Sequence, residues 1–137
     1  IFGGEGFPKT KLEILFNKFK NKLFYNVYGP TECTCICSRY LITDNDFKKN
    51  QKLSKGIYMP IGPIAENFEY NIVNKQFKKV KNEEVGELIL YGPNVSYGYI
   101  GDTQNTEKNF IFDDVGLGNK RAYKTGDLVK EDRSNNQ

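Results

Sequence analysis

The most informative gaps in this sequence are its missing histidine and its few cysteines. None of its 137 residues is histidine, which removes Ser-His-Asp and Cys-His hydrolase schemes in their usual form. Three cysteines, Cys33, Cys35 and Cys37, lie too close together for a disulfide framework, and their alternation predicts one shared strand face. No histidine or fourth cysteine completes a tetrahedral metal site, so we interpret them as small packing side chains. A reducing cytoplasm fits this cysteine content best.

Long apolar runs and clustered basic residues are also missing. No apolar run approaches the roughly 20 residues that cross a bilayer, so we expect no membrane span. No basic segment followed by an apolar stretch opens the chain, so no secretion signal is visible. The 20 Lys and Arg and 17 Asp and Glu are scattered, which argues against a nucleic-acid partner.

The residues that are present suffice for a modest core. Hydrophobic residues make up 38% of the chain, and ten Phe and nine Tyr can each bury a large apolar face. The chain opens without Met on an apolar pair and ends in a polar stretch. We therefore expect a piece of a longer protein.

Local patterns predict a βαβ-like opening. Pro8 can begin a helix whose apolar residues recur at helical spacing: Leu12, Leu15, Phe16, Phe19 and Leu23. The aromatic and β-branched residues 24–28 predict a strand that Gly29-Pro30 ends. Residues 33–41 are predicted to be extended, and the polar residues 44–55 to form a surface connection or a frayed helix.

From about residue 57 the pattern changes to short strands separated by turns. Strands are predicted at residues 68–73, 87–91 and 95–100, and one or two helical turns within 103–112. A turn at residues 124–127 is predicted inside the segment 122–129. The predicted class is α/β, a βαβ-like opening followed by a β-rich, barrel-like portion.

Residues 26–32, Asn-Val-Tyr-Gly-Pro-Thr-Glu, carry the most chemical information. A strand that runs into a tight turn would deliver three groups to one edge. Tyr28 offers a ring for purine stacking, Thr31 a hydroxyl for phosphate, and Glu32 a hard carboxylate for Mg²⁺. Taken alone, these residues leave open an ordinary strand and turn in which Tyr28 packs in the core and Glu32 is solvated.

This segment resembles the Asn-x-Tyr-Gly-Pro-Thr-Glu signature of the adenylate-forming superfamily, in its amino-acid-activating branch. Three further signatures of that family follow its order: Gly3-Gly4-Glu5, Gly86–Gly92 with Val95–Tyr99, and Tyr123–Leu128. The resemblance covers essentially the whole chain and implies a partial large domain. Residues 1–56 would end an α/β nucleotide- and amino-acid-binding subdomain, and residues 57–137 would form a β-rich distorted-barrel subdomain that completes the nucleotide site.

The resemblance implies ATP and Mg²⁺ as cofactors and assigns them residues. Tyr28 would stack on adenine, with Asn26 hydrogen-bonding nearby. Thr31 would meet phosphate and Glu32 would ligate Mg²⁺, and these two are the expected catalytic residues. Asp127 would accept hydrogen bonds from the ribose hydroxyls, although a plain turn residue is the simpler alternative for an Asp after glycine.

The resemblance also implies a substrate pocket. Its expected lining residues are small or apolar and uncharged: Ile1, Gly3, Val27, Cys35 and Ile36. Gly29, in the turn, would lie near where substrate and nucleotide meet, and Gly29 and Pro30 are both expected to take part in nucleotide binding. A charged substrate side chain would be buried there without a partner, so a small or apolar amino acid is favoured.

Pro30 favours amino-acid adenylation, because acyl-CoA synthetases and luciferases usually lack Pro before Thr-Glu. Residues 94–101 and 121–127 are similar to D-alanine–carrier protein ligases, whereas Gly3 stands where those ligases tend to carry a bulkier residue. Adenylation domains of nonribosomal peptide synthetases resemble the chain equally well. The implied activity is formation of an aminoacyl-adenylate and its transfer to the thiol of a phosphopantetheinyl carrier protein.

Two alternatives stay open, an acyl-CoA synthetase and a non-enzymatic module that kept the fold. Compared with the family, the sequence lacks the upstream glycine- and Ser/Thr-rich phosphate loop. It also lacks the downstream mobile domain with its catalytic Lys. We therefore expect the isolated chain to bind ATP weakly and to be inactive.

Overall fold

The computed structural model describes residues 1–48, 58–81, 83–113 and 120–131. The chain divides into two compact units, Ile1–Gly29 with Cys35–Ala65 and Pro30–Thr34 with Glu66–Gln137. The short segment Pro30–Thr34 belongs to the second unit. The boundary predicted at residue 56 lies outside the described residues and stays a prediction. The nucleotide- and substrate-binding roles given to the two parts stay predictions.

The first unit contains the expected βαβ-like opening. Phe2 forms a parallel bridge with Asn26, in which its N–H donates to the Tyr25 carbonyl at 3.0 Å. Helix α1 (Lys9–Lys18) follows, and strand β1 (Phe24–Tyr28) has the predicted bounds. β1 pairs antiparallel with β2 (Ser38–Ile42).

Helix α1 covers a small apolar core. Its inward residues Leu12 and Phe16 are buried, and they pack in one cluster with Phe24, Ile42 and Met59. The predicted apolar face also included Leu15, Phe19 and Leu23, but all three side chains are exposed, and the helix ends at Lys18. The helix stops because Phe19 leaves helical geometry, at φ −123° and ψ 49°, and its N–H closes the last turn.

The prediction of an extended segment over residues 33–41 is wrong in its first half. Thr31–Cys33 is a 3₁₀ turn, and Thr34 and Cys35 adopt left-handed backbone at φ 60° and 74° before β2 begins. The three cysteines therefore do not share a strand face: Cys33 and Cys37 are buried and Cys35 is exposed. None of the three cysteines, all in the described part of the chain, forms a disulfide bond.

The polar segment predicted over residues 44–55 begins as a 3₁₀ turn at Asp44–Phe47. Asp46 is buried there, where its carboxylate accepts hydrogen bonds from the Tyr40 hydroxyl and the Thr43 N–H. Residues 49–55 lie outside the described part of the chain.

The second unit is the expected β-rich part. Its strands are β3 (Glu69–Val73), β4 (Gly86–Tyr91), β5 (Phe110–Asp113) and β6 (Lys120–Val129), and they form an antiparallel sheet in the order β3-β4-β6-β5. The predicted helical turns are helix α2 (Thr103–Asn109). The strand predicted at residues 95–100 is wrong, because this segment is a loop that ends in an isolated bridge between Tyr99 and Asp102.

The turn predicted at residues 124–127 is a bulge inside the continuous strand β6. Glu87 pairs with Leu128 and Ile89 pairs with Lys124, so three residues of β6 lie opposite the single Leu88. Gly126 has φ 73°, a conformation that glycine adopts at little cost and that suits a bulge. A Gly-Asp pair that indicated a turn thus sits in a strand.

Both α1 and α2 are too short and too polar to cross a membrane, and the rest of the described chain contains no helix that could.

Candidate functional site

Strand β1 delivers Asn26 and Tyr28 in the first unit. Tyr28 ends the strand half-buried, and its carbonyl accepts the Cys37 N–H at 2.8 Å. The Asn26 side-chain amide donates to the Pro60 carbonyl at 2.8 Å. Asn26 therefore anchors the segment after residue 58 to β1, a structural task that the sequence did not predict. Its position near adenine stays a prediction.

Gly3, expected to line the substrate pocket, and Gly29, expected to take part in nucleotide binding, both pack against backbone in the first unit. A Cβ atom on Gly3 would lie 2.5 Å from the Val27 carbonyl oxygen, and one on Gly29 would lie 1.9 Å from that of Cys35. The structure thus brings Gly3 to Val27 and Gly29 to Cys35, while the side chain of Ile36 is exposed. Any larger side chain at these two positions would displace main chain rather than fill a pocket.

The turn that carries Thr31 and Glu32 belongs to the second unit. It closes through the Cys33 N–H, which donates to the Pro30 carbonyl at 3.0 Å. Thr31 is exposed at its start and Glu32 is half-buried. The loop after β4 holds the turn, since the Ser96 N–H donates to the Glu32 carbonyl at 2.8 Å.

The Glu32 carboxylate contacts two tyrosines to which we gave no role from the sequence. The Tyr99 hydroxyl donates to Glu32 Oε1 at 2.6 Å, and the Tyr123 hydroxyl lies 3.5 Å from that of Tyr99. The Phe110 ring packs against both tyrosines, with centroid separations of 5.4 and 5.0 Å. Three segments recognised separately by their motifs thus converge on one carboxylate.

These contacts determine the charge of the cluster. Burial raises the pKa of Glu32, but hydrogen bonds from Tyr99, from its own backbone N–H and from Tyr123 outweigh burial and leave that pKa below its ordinary value. The hydrogen bond to Glu32 raises the pKa of Tyr99. The pKa of Tyr123 is raised mainly by burial and then by its hydrogen bonds with Tyr99 and Glu32. At neutral pH the carboxylate is therefore charged and both hydroxyls keep their protons.

Asp127 is exposed on the bulge of β6. Thr125 Oγ1 donates to the Leu88 carbonyl at 2.8 Å and accepts the Asp127 N–H at 3.1 Å. The Gly126 N–H donates to Glu87 Oε1 at 3.1 Å. Side chains from both strands thus fix the backbone that presents this carboxylate, which can accept hydrogen bonds from hydroxyl groups.

Glu32 fits a magnesium ion that is held largely by other ligands. The described residues contain no group of three or more His, Cys, Asp or Glu that could hold a metal. A single charged carboxylate is nevertheless the usual protein contribution where phosphates and waters complete the octahedron. A single Glu32 carboxylate therefore suits Mg²⁺ that is bound together with a nucleotide, and does not suit a metal ion held by protein ligands alone.

Curated relatives cover nearly the whole chain. It is 34% identical over 127 residues to the D-alanine–D-alanyl carrier protein ligase of Bacillus velezensis, a match of 93% of this chain and 23% of the relative. The ligase of the same name from Listeria monocytogenes is 33% identical, with 96% of this chain and 24% of the relative covered. The chain thus spans about a quarter of the length of these relatives.

Solved structures share the fold of this chain, and one family model matches most of its residues. PA1221, described as a nonribosomal peptide synthetase protein with adenylation and PCP domains, superposes with a TM-score of 0.80 at 23% identity, covering 96% of this chain and 25% of that one. CmiS6 gives a TM-score of 0.82 at 25% identity, covering 96% and 30%. Residues 1–100 match the family described as AMP-binding enzyme. The chain therefore belongs to the AMP-binding enzyme family.

Proposed function

We propose that this chain is part of an ATP-dependent ligase that activates a small or apolar amino acid as its adenylate and transfers it to a carrier-protein thiol. The observation that carries the proposal is the identity to D-alanyl carrier protein ligases along nearly all of the chain. The chain spans only about a quarter of such a ligase, so the activity belongs to the full-length enzyme.

In this proposal Tyr28, Thr31 and Asp127 bind ATP. The half-buried ring at the end of β1, the exposed hydroxyl at the start of a turn and the exposed carboxylate on a bulge support these roles. Glu32 would hold Mg²⁺, which when bound offsets the charge of the phosphate groups. The half-buried carboxylate of Glu32 supports this role, because Mg²⁺ prefers oxygen ligands.

D-Alanine is the first substrate to test. The expected lining residues Gly3, Val27, Cys35 and Ile36 carry no charge, and the ligase relatives are named for D-alanine. The carrier protein would accept the aminoacyl group on its phosphopantetheinyl thiol. We place the enzyme in the cytoplasm, where ATP is supplied and where the three thiols would stay reduced.

The decisive experiment is ATP–pyrophosphate exchange by the full-length enzyme, screened over D-alanine, the twenty standard amino acids and fatty acids. We expect exchange with D-alanine or another small or apolar amino acid, and aminoacyl loading of a phosphopantetheinylated carrier protein. Exchange with fatty acids alone would establish an acyl-CoA synthetase. No exchange with any acid, together with no ATP binding, would favour a non-enzymatic module.

Two controls connect the result to this chain. Glu32→Gln and Asp127→Asn in the full-length enzyme should each lower exchange at limiting ATP. The isolated 137-residue chain should show no exchange. Robust exchange by the isolated chain would contradict the proposal that it is only a part of the catalyst.

A further inference from the structure

We infer that Tyr99 is a positioning residue, which holds the Glu32 carboxylate in the orientation that a magnesium ion bound with nucleotide requires. The inference deepens the proposed function and rests on it. It concerns a side chain that would not touch the metal itself. The hydroxyl-to-carboxylate bond of 2.6 Å, between residues 67 positions apart, is the observation from which it starts.

The backbone of Tyr99 is fixed by its own loop. The Tyr99 N–H donates to the Thr106 hydroxyl oxygen at 2.9 Å, and the Thr106 hydroxyl donates to the Asp102 carbonyl at 2.7 Å. Gly98 before it has φ 144°, and a Cβ there would lie 2.3 Å from Thr106 Cγ2. The loop therefore packs directly on helix α2, which leaves Tyr99 little freedom to withdraw from Glu32.

The ring of Tyr99 is fixed as well. Phe110 meets it edge-on, with an angle of 74° between the ring planes, and Phe110 also packs on Tyr123. The Tyr123 hydroxyl lies 3.5 Å from the Tyr99 hydroxyl. Tyr99 thus donates its hydrogen bond to the carboxylate from a ring that is held by aromatic packing.

One loop, which contains Ser96 and Tyr99, holds both the backbone and the side chain of Glu32. Ser96 donates its N–H to the backbone carbonyl of Glu32 at 2.8 Å, and Tyr99 donates to the side chain. A carboxylate has roughly four acceptor positions, so these hydrogen bonds still leave room for a metal bond. The protein thereby fixes the plane of the carboxylate before any metal arrives, which lowers the cost of ordering it on binding.

Hydrogen bonds that orient a metal ligand typically contribute about 10- to 100-fold in metal affinity. Tyr99→Phe keeps the ring and its packing on Phe110 but removes the donor. We therefore expect Mn²⁺, used as the spectroscopic substitute for Mg²⁺, to bind the full-length enzyme with ATP about tenfold or more weakly. Electron paramagnetic resonance of free Mn²⁺ measures this affinity without any turnover.

Tyr97→Phe is the matched control. It removes a hydroxyl from the same loop, but Tyr97 is 89% exposed and its ring stacks on Arg121 instead. We expect it to bind Mn²⁺ as the wild type does. The KM for the amino acid should be the same in both variants, whereas the Mg²⁺ concentration for half-maximal exchange should rise only in Tyr99→Phe.

Glu32→Gln separates the possible failures. If it leaves Mn²⁺ affinity unchanged, Glu32 is not the ligand and the metal part of the proposed function fails. If it weakens Mn²⁺ binding while Tyr99→Phe behaves as wild type, the proposed function stands and the role of Tyr99 is overturned. The double variant should bind Mn²⁺ no more weakly than Glu32→Gln alone, since Tyr99 acts only through that carboxylate.

Discussion

Glu87 on β4 accepts a hydrogen bond from the Gly126 backbone N–H on β6, at 3.1 Å across the paired strands. The two residues belong to motifs that looked independent in the sequence, Gly-Glu-Leu and Tyr-Lys-Thr-Gly-Asp. The contact explains why an acid follows Gly86: its carboxylate closes the bulge that presents Asp127. Glu87 therefore has a structural role: it holds the backbone beside Asp127, the residue proposed to bind ribose.

Replacing Glu87 by Ala should misplace Asp127 without removing it. A hydrogen bond of this kind contributes about 1 kcal/mol, so we expect the KM for ATP of the full-length enzyme to rise about fivefold. Glu84→Ala is the control, because Glu84 Oε2 accepts the Lys81 N–H at 3.1 Å in another turn of the same unit. Equal KM values for ATP in the two variants would contradict a specific role for Glu87.

Local sequence patterns sufficed where neighbouring residues alone decide the structure. Strand β1 was predicted with its observed bounds because Phe24–Tyr28 is aromatic and β-branched and Gly29-Pro30 interrupts it. Helix α1 was predicted in place, because Leu12 and Phe16 recur at the spacing that buries one helical face. In both cases the residues that predict the element lie within the element itself or directly beside it.

Predictions failed where a distant strand decides the structure. Gly126 indicated a turn, but β6 pairs with β4 on both sides of this residue, which therefore lies in a bulge of the strand. Val95 to Ile100 looked like a strand, but the segment instead donates hydrogen bonds to the turn at Glu32. One sequence contains no signal that residues 32 and 99 meet, so Tyr99 and Tyr123 were missed despite lying in recognised motifs.

Gly29 should tolerate no side chain, although its backbone is not left-handed. An added Cβ would lie 1.9 Å from the Cys35 oxygen and 2.8 Å from the Cys37 nitrogen, which are both backbone atoms and cannot rotate away. We expect Gly29→Ala to lower the free energy of unfolding by about 3 kcal/mol or more, measured in urea. Gly4→Ala, at φ 89° with open space around it, should cost only about 1–2 kcal/mol. An equal or smaller loss for Gly29→Ala would refute the close contact.

Tyr40 should make the first unit sensitive to alkali. Burial first, and its bond to Asp46 second, raise the pKa of Tyr40 above the ordinary value of 10.0. This stabilisation is complete below pH 10 and is lost as pH rises, because the unfolded chain gives up the proton that the folded chain keeps.

The free energy of unfolding should therefore decline above pH 10, and Tyr40→Phe should flatten that decline by at most about 1.4 kcal/mol per pH unit. The same variant should be less stable than wild type at neutral pH, because Asp46 loses a donor inside the core. Chemical denaturation at a series of pH values measures both effects. Tyr58→Phe, at an exposed tyrosine, is the comparison, and identical pH slopes in the two variants would contradict the prediction.

Tyr28 and Asp127 are each proposed to bind ATP, and measurements of nucleotide binding test both roles. Stacking of a base on an aromatic ring contributes about 1–3 kcal/mol, so Tyr28→Ala should weaken ATP binding roughly 5- to 150-fold in the full-length enzyme. Asp127→Ala should weaken it about tenfold, through lost hydrogen bonds to ribose. Because the two side chains would hold different parts of one ligand, their effects on the binding free energy should add in the double variant.

Isothermal titration with ATP and with inorganic pyrophosphate distinguishes these contacts from contacts to phosphate. Neither substitution should change the affinity for pyrophosphate, because pyrophosphate lacks base and ribose. Wild-type affinity for ATP in both variants would mean that the nucleotide binds elsewhere.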